Sequence, residues 1–216
     1  MRTDWLPLSA SALVIGAMSL VLGSLLNPVA NGSDTAETLR VVTDESGRWL
    51  GMAVMYFLAS FALTLGLPAI LSLFTTRGRK LGLLGIAVFA IGVIGTSGYA
   101  MLMVFFRALV VKDLLKDQGI NQMAHETGLS IFLYGWVGGF YLGMLLLAIA
   151  LFVSRKVPKW VPSLMLAFVA WLPLSSHLGR IGQAVPVLMI AIAFTGIAVE
   201  AVSADHKRDL ERQPVF

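Results

Sequence analysis

The chain has 216 residues, 57% of them hydrophobic and 13% charged, against about 25% charged in ordinary soluble domains, which excludes a soluble enzyme domain. A net charge of +4 spread over short connections excludes a nucleic-acid-binding surface. With no cysteine there are no disulfides, thiolate metal sites, iron-sulfur clusters or cysteine nucleophiles.

The 16 basic and 12 acidic side chains leave six stretches free of charge. In chain order these are Trp5 to Ser33, Trp49 to Thr76, Leu81 to Phe106, Thr127 to Ser154, Trp160 to Gly179 and Ile181 to Val199. Each is long enough to cross a bilayer, which takes about 20 apolar residues in a helix. Backbone groups in lipid must be satisfied internally, and no stretch alternates like a barrel strand, so each predicts a helix. The fold expected is an all-α polytopic bundle of six transmembrane helices, up and down in chain order. The domain covers residues 1–202, with spans over about 5–26, 49–74, 81–106, 127–153, 160–176 and 183–202. Residues 203–216 are expected to form a loose cytoplasmic tail.

The first run, Leu6 to Leu26, exceeds the apolar core of a secretion signal and lacks an A-x-A site, so it reads as a retained span. Orientation follows from the basic residues. Arg2, Arg77, Arg79, Lys80, Arg155, Lys156, Lys159, Lys207, Arg208 and Arg212 fall on one side, in the denser links. Arg40, Arg48, Arg107, Lys112, Lys116 and Arg180 fall on the other. Both termini are therefore expected in the cytoplasm, with the long connections Asn27 to Arg48 and Arg107 to Glu126 outside. In the second of these, Leu109 to Asp117 suits either a short helix on the membrane surface or a third span running past the headgroups. Paired hairpins with long outer loops are the only hint of duplication.

Between spans four and five the chain reads Arg155, Lys156, Val157, Pro158, Lys159, Trp160. This run, with the general layout, resembles a widespread family of small six-span bacterial membrane proteins for which no activity is settled. The resemblance implies six spans and a bacterial cytoplasmic membrane, and no particular chemistry.

Counting depth at 1.5 Å per residue places Tyr56, Tyr99 and Tyr134 at one level, about 10 Å below the outer boundary. Ser60 and Thr64 follow Tyr56 on the same face, and Pro68 withholds an amide from the Thr64 carbonyl. These five predict a polar cavity opening outward between spans two, three and four. The competing reading pairs each hydroxyl with a nearby backbone carbonyl, holding the helices in register.

His125, Glu126, His177 and Arg180 sit at the outer ends of spans four to six and form the expected rim of that cavity. A His, a carboxylate and an Arg at one level suit an anionic headgroup or a proton relay, and equally suit ordinary helix ends. A haem on His125 and His177 conflicts with their place at span ends, so no cofactor is expected. No zinc spacing, phosphate loop or nucleophile elbow occurs, and no charge lies inside a span, which argues against coupled ion transport.

Gly135, Gly139 and Gly143 mark a small-residue face on span four, for a neighbouring span or a partner membrane protein. Gly82, Gly85, Gly92 and Gly95 mark a matching face on span three. The function expected is non-enzymatic binding of a lipid-like or hydrophobic small molecule, or of a partner protein, among membrane lipids. The alternative is a lipid-modifying intramembrane enzyme using His177 and Glu126.

Overall fold

In the computed structural model, residues 5–29, 35–74, 77–114, 126–171 and 179–212 are described. Every regular element among them is helical: α1 (Trp5–Leu26), α2 (Thr35–Asp44), α3 (Ser46–Leu71), α4 (Arg79–Val111), α5 (Thr127–Ser154), α6 (Trp160–Trp171) and α7 (Gly179–Arg212). Five of them, α1, α3, α4, α5 and the Ala184–Ala204 part of α7, are long and apolar enough to cross a membrane. The fifth expected span is seen as the 12-residue α6, and residues 172–178 lie outside the described ones.

One open alternative is decided, one boundary moves, and one connection gains a helix. α4 continues through Arg107 to Val111, so Leu109 to Val111 extend the span rather than begin a separate surface helix. The tail expected to be loose carries α7 on from Ser203 to Arg212. Nothing from Ser203 to Gln213 stops a helix, and Pro214 stands two residues beyond its end. The first long connection holds α2, whose one fully buried side chain, Val42, packs with Trp49, Met52, Ala53 and Met103.

Packing neighbours run α1, α3, α4, α5, α6, α7 and back to α1, closing a ring. Its centre is filled at one level by Phe89 and Phe194, edge to face at 5.8 Å, with Leu13, Leu63, Met144, Leu147 and Ile190 around them.

Two antiparallel hairpins share one interlock. Leu13 and Leu63 each stand three residues before a glycine, Gly16 and Gly66. A methyl on Gly16 would come within 2.8 Å of Leu63, and one on Gly66 within 2.8 Å of Leu13. In α4 and α5 the same spacing recurs as Phe89 with Gly92 and Phe140 with Gly143. Gly92 faces the Phe140 backbone, and Gly143 the Phe89 backbone, each closely enough to exclude any side chain. This reciprocal lock, with backbones brought together at small residues, is the packing mode that lipid leaves available to helices. Gly139 also lies against α4, whereas Gly135 has nothing within 4 Å. The glycine face of span four is thus used within the chain at Gly139 and Gly143.

Polar groups tie the first hairpin further. Pro68 sits inside α3, and beside it the Ser9 hydroxyl of α1 bridges two backbone groups of that helix. It donates to the Leu65 carbonyl at 2.8 Å and accepts from the Ala69 N–H at 2.9 Å. At the far end the Trp49 indole donates to the Met103 carbonyl at 2.9 Å, and Arg107 Nε donates to the Ser46 carbonyl at 2.9 Å. Both bonds join α3 to α4.

Candidate functional site

Above the Phe89 level the described residues leave the ring unfilled. A cavity of about 800 Å³ lies between the end of α1, the start of α3, the distal half of α4 and the first half of α5. It exists because α5 packs on α4 and α6 but not on α1 or α3 among the described residues. Gly92, Thr96, Tyr99 and Met103 line it from one face of α4, and spacings of three and four residues carry it along about 16 Å of helix. Gly92 and Phe140 are at the closed end, nearest the interlock, while Asn27, Val29 and Trp49 lie towards the helix ends.

All three tyrosines singled out by depth line this cavity. The rings of Tyr56 and Tyr99 are 6.4 Å apart, and Tyr56 lies over Gly23 of α1, where a methyl would come within 2.7 Å of it. Tyr134 is on the wall but 77% exposed. The remaining hydroxyls of the predicted set lie elsewhere. Ser60 is buried, and Thr64 donates to the Ser60 carbonyl at 2.8 Å, the local pairing that competes with a ligand role. Neither lines the cavity. The reason is angular: at 100° per residue, positions four and eight beyond Tyr56 drift around α3.

The expected rim is described only in part. Glu126 is at the start of α5 as its N-cap: the carboxylate accepts from the Leu129 N–H, and the backbone N–H groups of Leu129 and Gly128 hold it below the usual carboxylate range. That is the ordinary work of an acid at a helix start. His125 and His177 lie outside the described residues. Arg180 belongs to the first turn of α7, of which only the backbone is described.

Several lining residues escaped the sequence reading. Thr96 and Ser130 add hydroxyls, although Thr96 donates to the Gly92 carbonyl at 3.0 Å. Tyr141 stacks on Phe168 of α6 with ring centroids 5.1 Å apart. Most consequential is Trp136, whose ring meets Tyr99 edge to face at 5.4 Å. It is 8% exposed, and its buried indole N–H has no hydrogen-bond partner among the described residues. Two tryptophans therefore border the same space, and of the two only Trp49 has an acceptor among the described residues.

Among the described residues, no Asp, Glu, Lys, Arg or His lines the cavity. Its wall is aromatic and aliphatic with a few hydroxyls, the make-up of sites that take small organic molecules. Its volume falls within the roughly 300–1,000 Å³ of such sites. Protein-family models, curated proteins and solved structures offer no match to the chain.

Proposed function

We propose that the chain is a six-span protein of a bacterial cytoplasmic membrane, with both termini inside, that binds a hydrophobic small molecule in the cavity without transforming it. The observation that carries this reading is the space of about 800 Å³, open on one side, that the described residues leave beside Tyr56, Tyr99 and Tyr134. The denser basic links at the opposite end of the bundle support an outward-facing cavity. The count of six in this reading rests on α6 and on the uncharged run of sequence that extends from Trp160 to Gly179.

A benzophenone photoprobe tests the reading with protein held in lipid nanodiscs. Adducts are expected on peptides carrying Tyr99 and Tyr134, and Tyr99→Phe or Tyr134→Phe is expected to lower their yield with the bundle intact. Adducts confined to outward residues such as Ile91, Ile94 and Leu142, exposed on the bundle surface, would overturn it. The cysteine-free sequence makes topology accessible to the same samples: single cysteines at Arg40 and Lys156 are expected to label from opposite sides of the membrane.

A further inference from the structure

At the end of the bundle away from the cavity, the start of α4 meets the end of α5. Gly78 sits so close to α5 that a methyl on it would come within 3.0 Å of the Ala150 carbonyl oxygen, with Val153 and Ser154 next nearest. Beside this contact lies an open groove of about 470 Å³, lined by Ile149, Phe152 and Val153 and by Arg77 and Arg155. Phe152 and Val153 stand three and four residues after Ile149, so the three share one face of α5. All three are exposed, as are both arginines.

Backbone geometry brings the two guanidinium-bearing residues to the same place. Arg77 directly precedes Gly78, which takes φ 74°, and Arg155 takes φ 53° as the residue that ends α5. Glycine is the ordinary occupant of such a left-handed helix end, because a Cβ is strained there. This chain places an arginine there instead. Ile149 lies six residues before it, about 9 Å deeper along the helix, so the groove runs from a basic mouth to an apolar wall.

No carboxylate offsets the charge. Arg77, Arg79 and Lys80 flank the groove on one side and Arg155, Lys156 and Lys159 on the other, while the sequence has no Asp or Glu from Ser46 to Lys112 or from Thr127 to Val199. Among the described residues neither Arg77 nor Arg155 has a side-chain hydrogen bond or an ion pair. Guanidinium groups present paired donors that match phosphate oxygens. Basic pockets between membrane helices at headgroup level hold anionic lipid in this way. A soluble anion would use the arginines alone, whereas an acyl chain also covers the exposed apolar face below them.

We propose that this groove binds an anionic phospholipid, its phosphate between Arg77 and Arg155 and an acyl chain along Ile149, Phe152 and Val153. The inference is independent of the cavity at the other end and requires only that the bundle lie in a membrane, as its five long apolar helices favour. On the topology proposed above, the lipid belongs to the cytoplasmic leaflet.

Native mass spectrometry of the full chain, released from detergent micelles, compares dioleoyl phosphatidylglycerol with dioleoyl phosphatidylcholine. The two share their acyl chains and differ in net charge. Phosphatidylglycerol is expected to bind about thirtyfold more tightly, the combined contribution of two basic groups at headgroup level. Arg77→Gln with Arg155→Gln is expected to remove that preference. Lys156→Gln with Lys159→Gln takes the same net charge from the same end and is expected to retain it to within about threefold. In nanodiscs, phosphatidylglycerol with a diazirine in its acyl chain is expected to form adducts between Ile149 and Val153.

Equal binding of the two lipids by the wild type would overturn the proposal. Equal losses in the two double variants would do so as well, since attraction would then follow overall charge and not the groove. Displacement of phosphatidylglycerol by an equal concentration of glycerol 3-phosphate, which has no acyl chains, would assign the site to a soluble phosphate and overturn the lipid. All four substituted side chains are exposed, and the wild-type comparison stands whatever the variants do to folding. Each of these outcomes leaves the cavity reading untouched.

Discussion

The hairpins α1/α3 and α4/α5 carry the same interlock and part company above it. In the first, close approach continues to the helix ends: Gly23 receives Tyr56, and Gly51 lies 3.3 Å from Leu26 by the position a methyl would take. In the second it stops at Gly95 against Trp136, and beyond that Gly98 and Gly135 have nothing within 4 Å among the described residues. One four-residue pattern thus fixes how each pair crosses, and the side chains one to three turns further on decide whether the pair stays shut. The cavity is the price of that second hairpin's early release.

The comparison breaks most visibly at the lock itself. Gly143→Leu drives a side chain into the Phe89 backbone and is expected to destabilise the bundle by about 3 kcal/mol or more, whereas Gly135→Leu, two turns away on the same helix, should change stability by less than about 0.5 kcal/mol. Thermal unfolding in detergent, followed by loss of the monodisperse peak, measures both. Next in size is Ser9→Ala, which leaves the Leu65 carbonyl and Ala69 N–H unbridged. A loss of about 1–3 kcal/mol is expected in the first hairpin, with photolabelling of the cavity unchanged. Trp49→Phe removes the bond to the Met103 carbonyl that holds the two hairpins together, at about 1 kcal/mol, and should raise amide exchange around Met103.

The smallest effect concerns the start of α5. The folded-state pKa of Glu126 lies below its ordinary 4.5 because two backbone N–H groups favour the carboxylate. Its capping contribution is therefore complete above the unfolded value and falls away as pH drops through the folded one. Glu126→Gln should speed amide exchange at Leu129 at neutral pH and remove that acid dependence, without altering exchange in α1 or α3.

Much of the fold was legible because keeping ions out of hydrocarbon leaves a plain record in the sequence. The uncharged runs locate α1, α3, α4 and α5 to within a few residues. α2 was not legible: its ten residues bury a single valine, and the partners that bury it come from α3 and α4. The tail was misjudged because charge density marks the end of a membrane span but not of a helix. In the cavity, the common level of Tyr56, Tyr99 and Tyr134 could be counted from helix rise alone. Ser60 and Thr64 were misplaced because height along a helix is easier to count than direction around it. Trp136 was beyond reach for a stronger reason. Whether an indole finds an acceptor depends on the neighbouring helix, and no spacing within α5 records that.

Ser9 has a consequence for how the protein comes together. A stretch of α3 beside Pro68 completes its backbone bonding with an atom that belongs to α1, so that stretch finishes folding only when its predecessor has docked. The two helices therefore mature as one unit during insertion, with α1 as a template for the span that follows it.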